Sequence, residues 1–399
     1  MLRIKDLPRG VLALGFVSLF MDISSEMIHG LLPVFLVSLL GASPTTLGVI
    51  EGLGESIALV TKVFSGALSD WLGRRKPLVL AGYALGTLSK PLFALAPSAG
   101  AVLGARAVDR FGKGLRGAPR DALVADLTPA HVRGAAYGLR QSLDSLGAVI
   151  GPLLALGLMI LTGDAIRTVF WLAAIPGLVA VFILVSFVRA PERLQPKSER
   201  FPIRLTEFAK LDTGYWLVLL IGVVFTLARF SEAFLLLRGE GLGLPARQVP
   251  LLLMIMSLFY ALGAYPAGRL SDRIGRGGFL GAGLTTLILA DLILATAGDV
   301  FQVVLGSAVW GLHLALTKGI FASLVADTAG EQLRGTAFGV FGLATGAAIL
   351  SASLIAGWLW GAYGAPATFL AGAGFSTLAL LGFILVHRGV GAEFGSPSR

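Results

Sequence analysis

The segment Gly66-Ala-Leu-Ser-Asp70-Trp-Leu-Gly73-Arg74-Arg75-Lys76 joins two long apolar runs, and it returns as Gly268-Arg-Leu-Ser-Asp272-Arg273-Ile-Gly275-Arg276. Each copy sets a glycine, an aspartate and a basic cluster between hydrophobic spans. The 399-residue chain around them is 55% hydrophobic and 14% charged, with a mean hydropathy of +0.83. A soluble protein of this length needs a far more polar surface, since even its core helices keep a polar face, so lipid is the main solvent. No cysteine is present, which removes disulfides, thiolate metal sites and cysteine nucleophiles. The net charge of +9 is spread over short loops between spans rather than gathered in one soluble domain, which argues against a nucleic-acid partner.

Apolar runs of about twenty residues, each long enough to cross a bilayer as a helix, recur along the chain. Read against breakers, they lie near 11–40, 45–69, 77–97, 99–126, 136–162 and 167–188, then near 214–238, 248–271, 278–297, 299–327, 336–361 and 365–387. The first run follows Arg3, Lys5 and Arg9 but continues past Asp22 and Glu26 to Leu40, so it reads as a membrane helix and not a cleaved signal peptide. Residues 1–188 and 213–399 form two six-span domains. Between them, 189–212 is a proline-marked, basic linker, with a short amphipathic helix expected from Ile203 to Lys210.

The two halves are related. Leu123-Val-Ala-Asp126 recurs as Leu324-Val-Ala-Asp327 and Arg133-Gly134 as Arg334-Gly335, and these pairs share with the opening motif an offset of about 200 residues. Duplication explains a common offset at three landmarks. Alternate loops carry Arg74, Arg75 and Lys76, then Arg133, the linker cations, Arg273 and Arg276, and Arg334; the intervening loops are nearly uncharged. By the positive-inside rule both termini are expected in the cytoplasm.

The doubled loop motif resembles that of the major facilitator superfamily of secondary transporters. The resemblance implies an all-α membrane protein of twelve transmembrane helices in two pseudo-symmetric six-helix bundles, working as a monomer by alternating access in a bacterial inner (plasma) membrane. It casts Gly66, Asp70, Gly73, Arg74 and Arg75, with Gly268, Asp272, Arg273, Gly275 and Arg276, as cytoplasmic gating motifs in which a helix-end carboxylate pairs with loop arginines. Trp71 stands where a basic residue is usual, leaving that latch to Arg74 and Arg75. Asp126 with Arg133, and Asp327 with Arg334, resemble the family's second cytoplasmic charge pair. Gly147-Ala-Val-Ile-Gly151-Pro152 resembles the GxxxGP motif of its antiporters, mainly drug exporters, although Ala155 and Leu156 stand where that pattern has a glycine pair. Plain small-residue helix packing is the other reading of those glycines.

Ionisable groups inside spans are costly and usually functional. Asp22, Glu26 and His29 share one helix face, and Glu51 and Glu55 lie one turn apart. Arg106, Arg110, Lys113, Arg116 and Arg120 form a cationic stripe on the fourth span, where glycines 112, 114 and 117 and Pro119 predict a bent or unwound helix. Arg140 and Asp144 make an i, i+4 pair on the fifth. The second half holds Arg229 and Glu232, expected as a local pair, then Asp291, His313 and Lys318. Either these groups neutralise one another, or a few acids among Asp22, Glu26, Glu51 and Glu55 exchange protons while Arg110, Lys113 and Arg140 attract an anionic group or respond to carboxylate protonation.

No phosphate-loop, GxSxG or HExxH pattern is present, so neither an enzyme nor a bound cofactor is expected. The leading expectation is a proton-coupled exporter of a small polar or charged solute. The alternatives are divalent-metal efflux through Asp22, Glu26 and His29, and a non-transporting receptor or scaffold.

Overall fold

Among the described residues of the computed structural model (8–129, 132–189, 211–274, 276–317, 324–325, 328–329 and 333–389), every regular element is a helix. The first six segments are α1 (Arg9–Leu39), α2 (Pro44–Leu72), α3 (Lys76–Leu95), α4 (Ala99–Asp126), α5 (Arg133–Leu161) and α6 (Ile166–Phe187). The rest are α7 (Thr213–Gly241), α8 (Pro250–Ile274), α9 (Arg276–Thr296), α10 (Val300–Thr317), α11 (Arg334–Tyr363) and α12 (Ala365–Gly389). Ten are long and apolar enough to cross a membrane; α2 and α4 have the length but are not among the ten. Gly275, Lys318, Asp327 and the linker helix expected at 203–210 lie outside the described residues, as do the side chains of Gly268, Asp272, Arg273, Arg276 and Arg334.

Local signals account for several boundaries. The Ser98 side chain accepts from the Ala101 backbone N–H and caps α4 at its start. α2 ends where Gly73 takes a φ of 61°, the left-handed conformation that stops a helix with least strain in glycine. α1 breaks at Gly30 and finishes in a π-helical turn over Phe35–Leu39. α4 is not unwound: it is one uninterrupted helix through its glycines and Pro119. Its glycines serve contact instead, because the Gly112 backbone lies against that of Gly82 on α3 and the Gly114 backbone against Ala58 of α2.

Contacts divide the chain into two compact units. The first comprises Met1–Ala42, Leu53–Ile203 and Ala246–Leu251; the second comprises Ser43–Gly52, Arg204–Pro245 and Leu252–Arg399. The first is cored by apolar side chains of α1, α3, α4, α5 and α6, among them Leu14, Val17, Tyr83, Val124, Ala136 and Leu184. In the second, Tyr215 and Val218 of α7 pack with Val325, Ala329 and Ala337, and the Tyr215 hydroxyl donates to the Ala337 carbonyl at 2.9 Å. The first two turns of α2 also belong to this unit, where the backbone at Gly48 and Gly52 lies against Ser353 of α11.

Candidate functional site

The charged side chains of the first unit gather in three places. Where α2 gives way to α3, Arg75 spans two carboxylates, reaching Asp70 at 3.2 Å and Asp126 at 3.1 Å. Arg74 is exposed beside it. The cation bonded to Asp126 thus comes from the α2–α3 loop, while Arg133 donates from Nε to the Thr128 carbonyl at 3.3 Å. Gly66 approaches α4 at Ala118.

Further along, Arg140 donates to Asp144 at 2.6 Å and lies 3.8 Å from Asp121. Arg120 bonds Asp121 at 3.2 Å and the Ser18 hydroxyl at 3.3 Å, tying α4 to α1. The expected pair on α5 is therefore part of a cluster shared by three helices.

In the middle of the unit the network deepens. Glu55 of α2 meets Arg110 of α4 at 2.8 Å, and Arg110 also lies 3.6 Å from Asp109. Asp109 accepts from Lys90 of α3 at 2.8 Å and from the Ser89 hydroxyl at 3.1 Å, and Lys90 reaches Ser25 of α1 at 3.3 Å. Lys90, Asp109 and Arg110 are all buried. The stripe on α4 meets divided fates: Arg106, Arg110 and Arg116 are buried, Arg116 stacking over Tyr83 at 4.7 Å, whereas Lys113 is exposed. Among the described residues Lys113 has no ion pair within 4.0 Å.

The acids of α1 stand beside this network. Glu26 approaches His29 at 3.8 Å; Asp22 is half-buried with no hydrogen bond or ion pair among the described residues. Both are set against α5 by its two motif glycines. A Cβ on Gly147 would fall 2.8 Å from the Asp22 Cβ, and one on Gly151 would fall 2.7 Å from the Glu26 Cβ. Only glycine allows that approach, so the α5 motif and the acidic face of α1 form one contact. Pro152 is buried just beyond. Among the described residues no three of His, Asp or Glu are placed to hold a metal ion, so Asp22, Glu26 and His29 do not converge as ligands.

The second unit takes up one acid of α2. The Ser231 hydroxyl donates to the fully buried Glu51 at 3.2 Å. α7 is broken at 229–232 to present that serine, and Arg229 lies over the Phe225 ring at 5.6 Å. Asp291 is fully buried, and neither carboxyl oxygen finds a hydrogen-bond partner among the described residues. It lies against Gly372 and Phe230, and the latter ring packs on Phe234, Trp310 and Phe369. His313 donates from Nδ1 to the Gly283 carbonyl at 2.8 Å. Reading the sequence missed Lys90, Ser89, Ser25 and Asp109. Asp109 stood next to Arg110 and three residues from Arg106 in the cationic stripe of α4, and that was the available signal.

A sequence profile described as Major Facilitator Superfamily matches residues 14–238 and, in a second stretch, 218–396. An uncharacterized MFS-type transporter of Methanocaldococcus jannaschii is 33% identical over 389 residues, 96% of this chain and 95% of that protein. The multidrug resistance protein MdtH of Yersinia enterocolitica is 31% identical over 196 residues, 47% of this chain and 48% of its own length. Among solved structures, a peptide transporter superposes with a TM-score of 0.79 at 14% identity, over 97% of this chain and 96% of that one. A bacterial homologue of the human lysosomal transporter Spinster gives a TM-score of 0.76 at 15% identity, over 97% and 98%. At these identities the structural likeness speaks for the fold alone.

Proposed function

Because the chain belongs to the Major Facilitator Superfamily, and is an integral membrane transporter rather than an enzyme, we propose that it exports a small polar or charged solute in exchange for protons. On this reading it is a monomer of twelve spans, with α2 and α4 completing the ten apolar helices. Domains 1–188 and 213–399 alternate access across a bacterial inner membrane, and the basic loops and both termini are cytoplasmic.

The observation that carries the proposal is the seating of Asp22 and Glu26 on Gly147 and Gly151. It puts two accessible carboxylates at the helix contact whose motif resembles that of antiporters. Asp22 and Glu26 are the proton-exchanging groups. Lys113, exposed and without an ion pair among the described residues, receives the anionic part of the solute, and Arg110 is held in reserve by Glu55. The multidrug resistance relatives support export, though the cationic stripe disfavours lipophilic cations as cargo. Arg75, bridging Asp70 and Asp126, is the latch of the inward end, and the second-half motif at 268–276 plays the matching part.

The test begins with a thermal-shift screen of organic anions, drugs and metal ions on purified protein. A hit is then offered to inverted vesicles with an imposed pH gradient. Accumulation should collapse when the gradient is dissipated, and should weaken in Asp22→Asn and Glu26→Gln. Wild-type rates in both variants remove these acids from the coupling mechanism, and gradient-independent flux removes proton exchange altogether.

A further inference from the structure

A groove of about 450 Å³ runs along the outside of the first unit between α1 and α6. Its floor is aromatic and aliphatic: Phe16 and Phe20 from α1, Ile183 and Phe187 from α6. One end is cationic, because Arg9 opens α1 and Arg189 stands two residues past the end of α6, and both side chains are exposed. The two helices run in opposite senses across a membrane, which brings the first residue of one and the last of the other to the same face. Lys76 adds a third cation nearby, donating to the Val188 carbonyl at 2.5 Å.

The dimensions decide what fits. From Arg9 to Phe20 a helix rises roughly 16 Å at ~1.5 Å per residue. A hydrocarbon core is about 30 Å thick, so the apolar floor is one leaflet deep. Arg9, Phe16 and Phe20 recur at seven and four residues and so share a face of α1. Guanidinium groups at the surface and an apolar channel reaching the midplane match one molecule in charge and in length.

We propose that this groove binds an anionic phospholipid, its phosphate between Arg9 and Arg189 and an acyl chain along Phe16, Phe20, Ile183 and Phe187. The site needs only that the two arginines share a face of the membrane. It rests on the proposed orientation solely for the statement that the lipid comes from the cytoplasmic leaflet, and it stands whether or not the transporter is proton-coupled. A guanidinium pair recognises phosphate through charge-assisted hydrogen bonds, and each surface cation favours an anionic over a zwitterionic headgroup. Binding there braces α1, the helix that carries Asp22 and Glu26, against α6.

Native mass spectrometry of the full-length protein, in micelles doped with phosphatidylglycerol and phosphatidylcholine of identical chains, tests this directly. Two arginines should favour the anionic lipid by roughly thirtyfold, about 2 kcal/mol. In Arg9→Gln/Arg189→Gln the preference should fall to near parity, whereas Arg9→Lys/Arg189→Lys should keep most of it; size-exclusion profiles confirm that each variant is folded. Equal retention of the two lipids by the wild type overturns the proposal, and so does an unchanged preference in the double glutamine variant. Inorganic phosphate at millimolar concentration should not displace the lipid; displacement would mean that the headgroup alone is bound and the apolar channel plays no part. None of these readings depends on transport, so loss of the site and loss of the proton-exchange mechanism are separately visible.

Discussion

Asp109 in the first unit and Asp291 in the second are both buried aspartates on membrane helices, and they are held in opposite ways. Asp109 sits between Lys90, Arg110 and Ser89. Asp291 faces Gly372 and the aromatic group around Phe230, with neither oxygen bonded among the described residues. The first unit pairs its charges with one another across α2, α3 and α4 and, among the described residues, leaves Lys113 and Asp22 without an ion pair. The second is chiefly apolar there, and takes in Glu51 from α2 through Ser231. The difference teaches that a buried charge says little by itself; what it is paired with decides whether it braces the bundle or stands apart from it.

The comparison breaks most sharply at Asp109. Asp109→Asn keeps the shape but takes the carboxylate from buried Lys90 while Arg110 keeps Glu55, and loss of one partner from a buried pair typically costs about 3–5 kcal/mol. Thermal unfolding of the purified protein should show the largest loss among the shape-conserving substitutions. Lys90→Met/Asp109→Leu should recover part of it, because both charges leave together. Recovery of nothing would mean that the network is held by Arg110 alone.

Next in size is Gly151→Ala. The new methyl would meet the Glu26 Cβ at 2.7 Å, so α1 and α5 must separate. Overpacking of this kind costs about 1–3 kcal/mol. Melting temperature should fall and any measured flux should fall with it. Gly157→Ala, with open space at its Cβ, is the control on the same helix and should change neither.

Much of this architecture was legible, and the reasons differ by element. Spans such as 77–97 and 365–387 announce themselves because lipid tolerates few polar side chains, and the structure places α3 and α12 close to those bounds. α2 and α4 were read as spans from runs between breakers at 45–69 and 99–126, and the structure gives each the length of a span although neither is among the ten apolar ones. The partners inside the bundle were not legible, because one-dimensional periodicity gives a residue's face and not its neighbour. Asp109 and Lys90 are one example. The break in α7 at 229–232 is another: no glycine or proline marks it, and Arg229 and Glu232 read equally well as a turn of continuous helix. The glycines of α4 misled for a related reason. Gly112 and Gly114 suggested an unwound segment, whereas a lipid-embedded backbone keeps its helical bonds and uses glycine to bring neighbouring helices close.

Smaller again is the effect at Arg75. Arg75→Gln removes both ties of the α2–α3 loop, to Asp70 and to Asp126, but Asp70 is half exposed and partly solvated pairs contribute about 0.2–1 kcal/mol each. Stability should shift little. Hydrogen exchange at the end of α2 and in the first turn of α3 should rise, and unchanged exchange would show that Arg75 is not what holds this end shut.

The smallest change is expected at Asp291. Asp291→Asn is isosteric, strands no cation and breaks no hydrogen bond among the described residues, so none of the mechanisms that produce large losses applies. Unfolding should move by under about 1 kcal/mol, against several for the same substitution at Asp109. Asp291→Lys is the sharper probe of the surroundings: a long cation placed beside the Phe230, Trp310 and Phe369 rings is costly to bury, and accumulation of the protein should fall. If Asp291→Asn instead destabilises as strongly as Asp109→Asn, then Asp291 has a partner of its own, and the contrast between a braced first unit and an apolar second one is lost.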